Sequence, residues 1–186
     1  MHEIEIKAAL KNKEAFIKAL SERGCEFGQE IKQDDTIYAR EIETLEIFLS
    51  NSDFLRIRVQ NDGKTLFAFK HHPGRIRSLD SAPLELELEV SSREVMEHIL
   101  SIMGYKEAAR VTKVRRKTKY QNWEICIDDV EGLGAYVEVE ELADSNDDIV
   151  SIQERMRVFL AEFGIGEEDL INNRYDVMLM QKRGGM

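Results

Sequence analysis

Charged and apolar residues alternate in the first segment of the chain. Glu3, Glu5 and Lys7 stand at odd positions, and isoleucines stand between them. Because successive side chains of a β-strand point to opposite faces, this spacing predicts a strand with its three charged groups on one face. A single strand of this kind is commonly wet on one face and dry on the other, so on its own it indicates no site.

The same alternation recurs in five later segments. Acidic residues alternate with apolar ones in 84–90 and 136–140, and basic residues alternate in 56–58, 67–70 and 113–119. Six such strands in one small domain predict a closed sheet whose interior carries charges of both signs. The apolar faces of the same strands would then pack outward against helices.

Turn residues divide the chain into predicted strands. The predicted strands cover about residues 2–9, 26–39, 54–60, 64–71, 84–90, 105–120, 123–128 and 135–142. The Asn61-Asp62-Gly63 segment is typical of a hairpin turn, and a loop is predicted over residues 73–83. The predicted fold is α+β, an eight-stranded antiparallel β-barrel with helices packed on the outside, in a single domain of residues 1–186.

Capping residues and apolar spacing predict the helices. Two helices are expected after Asn12 and after the Ser91-Ser92 pair, and a third over an amphipathic segment from about residue 147 to residue 163. Gly24 and Gly104, which end the first two helices, lie 80 positions apart in the chain. This offset indicates two similar strand–helix–strand halves.

Composition limits the classes of function. A chain of 186 residues with 42% hydrophobic and 33% charged residues can build one domain with a core. The net charge of -10 argues against a nucleic-acid partner, because phosphate contacts dominate that affinity. No membrane-spanning apolar run and no signal-peptide pattern occur, so no membrane partner and a cytoplasmic location are expected. Cys25 and Cys126 lack metal-ligand spacing and are predicted to be buried free thiols.

Two sets of charged side chains would line the predicted interior. Arginine and lysine suit a polyphosphate, and carboxylates suit Mg2+ or Mn2+. The basic set is Lys7, Arg56, Arg58, Lys70, Lys113 and Arg115, and the acidic set is Glu3, Glu5, Asp128, Glu138 and Glu140. Together they predict a metal–polyphosphate site. The alternative is a set of mutual salt bridges without a ligand, although buried ion pairs seldom stabilise a fold.

The order of these motifs resembles a known family. Glu3-Ile4-Glu5-Ile6-Lys7 matches the Glu-x-Glu-x-Lys motif of the CYTH (triphosphate tunnel metalloenzyme) superfamily, which is weak alone and strong in this order. The further motifs are Asp34-Asp35 before Tyr38, 54–58, 61–63, Phe69-Lys70, Glu85/Glu87/Glu89, Lys113-x-Arg115, 128–134 before 138–140, and Arg174-Tyr175. Across nearly the whole chain they look like the class IV adenylyl cyclase branch.

This resemblance implies an eight-stranded tunnel that binds a triphosphate. It implies Mg2+ or Mn2+ ligands at Glu3, Glu5 and Glu140, with Glu138 and Asp128 supporting them or sharing a second metal. Lys7, Glu138 and Asp128 would be catalytic. The implied triphosphate-binding residues are Lys7, Arg56, Arg58, Lys70, Lys113 and Arg115, with Glu85 and Glu87 orienting them. A homodimer is also implied.

Three functions remain open at this point. The first is a cyclase that converts ATP to cyclic AMP and pyrophosphate; the second is a triphosphatase acting on tripolyphosphate, thiamine triphosphate or a nucleotide; the third is a non-catalytic polyphosphate or nucleotide binder. The overall resemblance favours the cyclase. The chain departs from the family at Lys70-His71-His72-Pro73 and at Ala82-Pro83-Leu84, which alters a substrate-facing loop and favours the simpler hydrolysis.

Overall fold

The computed structural model describes residues 2–51, 53–71, 84–144 and 147–184. In chain order the elements are β1 (His2–Ala9), α1 (Lys13–Glu22), β2 (Ile31–Ala39), α2 (Leu45–Ser50), β3 (Asp53–Gln60), β4 (Thr65–His71), β5 (Leu84–Glu89), α3 (Arg93–Ile102), β6 (Lys106–Tyr120), β7 (Trp123–Val130), β8 (Gly134–Ala143), α4 (Ile149–Ala161), a 3-10 turn (Glu167–Asp169) and α5 (Tyr175–Gly184). The strand order in the sheet is β1-β8-β7-β6-β2-β3-β4-β5. The predicted α+β class, with eight strands in one antiparallel sheet and helices packed against it, is confirmed.

Contacts divide the chain into two compact units. The first unit combines residues 1–31 and 113–173, and the second combines residues 32–112 and 174–186. The prediction of a single domain is not tested by this division and stays a prediction.

The core of the first unit lies on the apolar face of its strands. Ile4 and Ile6 of β1 are buried with apolar residues of β7 and β8, and with residues of α1 and α4 such as Leu20 and Met156. Burial of this many apolar side chains stabilises the unit through the hydrophobic effect. The odd-numbered charged residues of β1 therefore stand on the opposite face of the same strand.

The second unit has two buried clusters. Tyr38, Leu55 and Ile57 pack with Leu100 of α3, and this covers the apolar face of β2 and β3. A second cluster, formed by Ala39, Phe48, Phe54 and Val177, joins α2 and α5 to the ends of the same two strands. Arg56 and Arg58, which alternate with the apolar residues of β3, are thus placed away from α3.

The two helices that were predicted from caps have the same local structure. The Asn12 side chain accepts a hydrogen bond from the backbone N–H of Ala15 at 3.0 Å, and the Ser92 hydroxyl accepts one from Val95 at 3.2 Å. The helices are followed by Gly24 and Gly104 at φ +85° and +82°, where a side chain would be strained. The offset of 80 positions therefore corresponds to a repeated strand–helix–glycine unit.

Three local predictions need correction or completion. Residues 26–30 are not part of a strand, although Gly28 N–H donates to the Lys117 carbonyl at 2.9 Å, because one such bond does not make a ladder. Helix α2 was not predicted, since it has only six residues and follows its Thr44 cap closely. Residues 175–184 are helical, where only a short terminal segment was expected. The predicted loop 73–83 lies outside the described residues.

Two further expectations concern the thiols and the helices. Cys25 and Cys126 are both buried and unpaired with another cysteine, which confirms the prediction of free thiols. Among the described residues, no helix has both the length and the apolar composition that crossing a membrane requires.

Candidate functional site

Three carboxylates converge on the charged face of the first unit. The antiparallel register of β1 and β8 places Glu5 directly opposite Glu140, and Glu3 lies two residues from Glu5 on the same face. One carboxylate oxygen from each of Glu3, Glu5 and Glu140 lies within 4.8 Å of the other two. We refer to these three residues as the acidic triad. Oxygen ligands in this number and spacing are suited to a hard divalent cation.

Within the acidic triad, the charge of Glu140 is incompletely compensated. Burial, with a smaller contribution from neighbouring Glu3, Glu138 and Glu5, raises the pKa of Glu140 to about 7. The Arg115 guanidinium lies 3.9 Å from the Glu140 carboxylate and opposes this rise without cancelling it. A divalent cation would neutralise the excess negative charge, so the residues present fit a bound metal ion.

Replacing Glu140 by glutamine is expected to stabilise the metal-free protein at neutral and alkaline pH. The folded-state pKa of about 7 exceeds the ordinary value of 4.5, so the folded state binds more protons than the unfolded state between these values. The contribution of Glu140 to wild-type stability should therefore fall as pH rises through this window, by about 3 kcal/mol. Glu140→Gln should lose this dependence.

This expectation is tested by urea unfolding in the presence of a chelator. Wild type, Glu140→Gln and the exposed control Glu22→Gln would be compared at pH 4.5 and pH 8. A Glu140→Gln protein whose stability falls with pH in parallel with wild type would contradict the assignment of uncompensated charge to Glu140.

A buried ion-pair network lies beside the acidic triad. Asp128 of β7 is fully buried and accepts hydrogen bonds from Arg115 at 2.7 and 2.6 Å and from Lys113 at 2.9 Å. Glu138 of β8 accepts a hydrogen bond from Arg115, and its carboxylate lies 3.1 Å from the Lys7 ammonium. We call these five residues the ion-pair network.

The network holds its members in their charged forms. Burial alone would raise the pKa of Glu138, but Arg115, Lys7 and Lys113 outweigh burial and hold this pKa well below its ordinary value. Burial likewise raises the pKa of Asp128, but the hydrogen bonds and the positive charge of Arg115 lower it more, so the net pKa is lowered. Burial lowers and Glu138 raises the pKa of Lys7, with a net rise. The cations and carboxylates of the network are therefore mutually fixed.

The predicted metal ligands thus separate into two groups. Glu3, Glu5 and Glu140 converge, whereas Asp128 and Glu138 use their oxygens to hold Lys113, Arg115 and Lys7. The described residues contain a second convergent group in which Glu124 and Cys126 of β7 share Glu140. Neither Glu124 nor Cys126 was predicted as a metal ligand from the sequence, although both alternate with apolar residues in the same register as Asp128. Burial raises the pKa of the Cys126 thiol.

The remaining predicted residues form a charged cluster in the second unit. Arg56 donates to Glu85 at 3.1 Å and to Glu87 at 2.9 Å, and Lys70 lies 2.6 Å from Glu85. Burial opposes Lys70 and Arg56 in setting the pKa of Glu85, which is lowered. The Nε atom of Arg56 is buried and has no hydrogen-bond partner among the described residues. A basic cluster with an unused donor suits an anionic ligand.

Arg58 has a partner on the neighbouring strand that was not predicted from the sequence. Asp35 of β2 stands opposite Arg58 in the strand register and accepts two hydrogen bonds from it, both at 2.7 Å. Both side chains are almost completely buried. This bidentate pair fixes the plane of the guanidinium group. The position of Asp35 within the Asp34-Asp35 motif was the available signal.

His71, at one of the two departures from the family pattern, is also paired. Its Nδ1 atom lies 2.6 Å from an oxygen of Asp53, across the β3–β4 ladder. His72 and Pro73, and Ala82 and Pro83 at the second departure, lie outside the described residues.

Comparison with known proteins gives a consistent result. The CYTH domain model matches residues 1–175 of this chain. A Methanocaldococcus jannaschii protein, provisionally named an adenylate cyclase, is 30% identical over 176 residues, which are 94% of this chain and 97% of that protein. A solved structure of a Pyrococcus horikoshii OT3 protein covers 98% of this chain and 100% of its own, with 27% identity and a TM-score of 0.81.

A more distant structure shares the fold. It is a Hippeastrum protein, provisionally named an adenylyl cyclase and described as having a dominant triphosphatase activity. Its identity to this chain is 18% and its TM-score is 0.63, over 98% of this chain and 96% of its own. The extent of the family match and the similarity to the Methanocaldococcus protein show that this chain belongs to the CYTH domain family.

Proposed function

We propose that this protein is a divalent-metal-dependent enzyme that acts on a triphosphate, and specifically a class IV-type adenylyl cyclase. The observation that carries this proposal is the convergence of Glu3, Glu5 and Glu140 beside a network of fixed cations. Family membership and the provisional name of the Methanocaldococcus relative support the cyclase assignment. A homodimer and a cytoplasmic location stay predictions of the sequence.

The acidic triad would hold Mg2+ or Mn2+. When bound, such an ion neutralises charge on phosphate oxygens. We assign Asp128 and Glu138 a supporting role, because their oxygens are engaged with Arg115, Lys113 and Lys7. The sharing of a second metal by these two carboxylates stays a prediction of the sequence.

The proposed reaction joins two ends of the ribose–triphosphate unit of ATP. The ribose 3′-oxygen forms a bond to the α-phosphorus, the bond from that phosphorus to the bridging oxygen breaks, and pyrophosphate leaves with the bonding electrons. The 3′-hydroxyl proton passes to a base. Basic side chains such as Lys7, Arg58 and Lys113 would bind the triphosphate and stabilise the negative charge that develops on pyrophosphate.

A triphosphatase is the second candidate. Water would attack the terminal phosphorus of tripolyphosphate, thiamine triphosphate or a nucleotide, and orthophosphate would be released. The observation in its favour is that the acidic triad and the basic residues already supply what this simpler reaction needs. A non-catalytic binder is the weakest candidate, because a phosphate-binding surface alone does not call for converging carboxylates.

Product identification separates these candidates. The purified protein would be incubated with ATP and separately with tripolyphosphate, in Mg2+ and in Mn2+. Cyclic AMP with pyrophosphate would support the cyclase. Orthophosphate release, strongest from tripolyphosphate, would support the triphosphatase. Binding of both compounds without any product would contradict catalysis.

Replacing Arg58 by alanine is expected to weaken triphosphate binding by about 10- to 100-fold, because charge-assisted hydrogen bonds are lost. Calorimetric titration of tripolyphosphate in the presence of Mg2+ would measure this change. Arg58→Lys, which keeps a cation beside Asp35, should bind with intermediate affinity. Arg110→Ala, which removes an exposed arginine, is the control and should bind as wild type does. An unchanged affinity of Arg58→Ala would remove Arg58 from the site.

A further inference from the structure

Gln33 of β2 is buried and has an unpaired polar atom. Only 2% of the residue is exposed, and its side-chain carbonyl oxygen has no hydrogen-bond partner among the described residues. Folded proteins pair the great majority of their buried polar groups, so an unpaired one calls for an explanation. A bound ligand that donates a hydrogen bond is one such explanation.

Gln33 stands on the same strand as Asp35, the partner of Arg58 in the second unit. Gln33 and Asp35 are two residues apart on one strand, so they share a face and their backbones are about 7 Å apart. Asp35 holds the guanidinium group of Arg58 on the same face. Thr36, on the other face, accepts a hydrogen bond from Arg93 of α3. A group attached to a triphosphate at Arg58 would reach the carbonyl oxygen of Gln33 if it extends along β2 from Asp35 toward Gln33.

The chemistry of the unpaired atom selects the kind of group. A carbonyl oxygen accepts hydrogen bonds, and the ionised oxygens of a triphosphate are acceptors as well, so the two do not pair. A nucleoside carries hydroxyl and amino donors, whereas tripolyphosphate carries none when it is fully ionised. The carbonyl oxygen of Gln33 thus matches the part of a nucleotide that is not phosphate.

We propose that Gln33 is a specificity-determining residue that accepts a hydrogen bond from the nucleoside attached to the triphosphate. This inference rests on the proposed function and extends it, because it makes a nucleoside triphosphate, rather than tripolyphosphate, the preferred ligand. The donor is a sugar hydroxyl or the exocyclic amino group of the base.

Gln33→Met tests the inference, because methionine has a similar length and no carbonyl oxygen. Its affinity for ATP should fall by about three- to tenfold, and its affinity for tripolyphosphate should stay unchanged. Its melting temperature should be equal to or above that of wild type, since no internal hydrogen bond is lost. Gln153→Met on helix α4 is the matched control and should change neither affinity.

Nucleotide analogues identify the donor. The titrations would be repeated with 2′-deoxyATP, 3′-deoxyATP and inosine triphosphate, which lack one hydroxyl, the other hydroxyl and the amino group respectively. The analogue that lacks the donor should bind wild type more weakly than ATP does and should bind Gln33→Met as it binds wild type. That pattern would support the inference and name the group.

Other outcomes would overturn it. An unchanged ratio of the ATP and tripolyphosphate affinities, whether both fall or neither does, would exclude a role for Gln33 in nucleoside selection. A lower melting temperature with an unchanged ratio would make Gln33 a structural residue. In both cases wild type still binds triphosphates, so these results would contradict the role of Gln33 and leave the proposed function unchanged. Wild-type protein that binds neither compound would contradict the proposed function and this inference together.

Discussion

Glu5→Gln is expected to reduce metal-dependent turnover by at least about 100-fold while the fold stays intact. The loss follows because one of the three converging carboxylates that we propose as metal ligands becomes a neutral amide, and even residues behind metal ligands commonly change metal affinity by about 10- to 100-fold. The fold should tolerate the change, since the Glu5 side chain is 49% exposed and its carboxylate lies 4.0 Å from Lys7. Removing one negative charge also reduces repulsion within the acidic triad.

Turnover of ATP and of tripolyphosphate would be measured over a range of Mg2+ and Mn2+ concentrations, with melting temperature as the test of folding. The exposed residue Glu14, on helix α1, provides a matched control, and Glu14→Gln should be as active as wild type. Activity of Glu5→Gln within about threefold of wild type would remove Glu5 from the metal site. A normal melting temperature with no turnover would support the assignment.

Most of the fold could be predicted because local sequence signals and tertiary packing agree. Alternation fixed the faces of β1, and the Asn12 cap and Gly24 bounded α1, before any packing was known. Helix α2 lacked this support, because six residues are too few to show helical periodicity. Residues 26–30 include only one residue typical of strands, Phe27, and the hydrogen-bond ladder shows that β2 begins after them, at Ile31.

The sequence could name candidate site residues, but it could not show which of them pair. Alternation identifies which residues share a face of one strand, but the register between strands decides which of them meet. The register of β1 on β8 brings Glu5 to Glu140, and the register of β6 on β7 brings Arg115 to Asp128. One residue of slip would reverse either face, so the sequence pattern alone could not separate the converging carboxylates of the acidic triad from the carboxylates that hold cations.

Residues without charge were the hardest to predict. Gln33 is a neutral residue between Lys32 and Asp34, and Cys126 was predicted as a buried free thiol without any sign that it lies near Glu124 and Glu140. What makes these two residues candidates for a functional role is their burial and the atoms that lie near them, and both are tertiary properties. Asp35 was visible as part of a motif, but its bidentate pairing with Arg58 depends on the β2–β3 register.

Asp128→Asn is expected to destabilise the protein by about 3 kcal/mol or more at neutral pH. Removing the charge of a fully buried carboxylate leaves Arg115 and Lys113 with reduced compensation, and breaking a buried ion pair typically costs about 3–5 kcal/mol. Because the lowered pKa of Asp128 stabilises the fold above its ordinary value near 3.8, this contribution should disappear as pH falls through the folded-state pKa. The difference between wild type and variant should therefore narrow in acid.

The adjacent residue supplies the control for this prediction. Asp129 alternates to the other face of β7, its side chain is 46% exposed, and it pairs with Lys13. Asp129→Asn should therefore change stability by no more than about 1 kcal/mol, as is usual for an exposed ion pair. Urea unfolding of both variants at pH 7 and pH 3 would measure the difference. Equal, small effects of the two substitutions would show that Asp128 does not hold Arg115 and Lys113 in place, and would return it to consideration as a metal ligand.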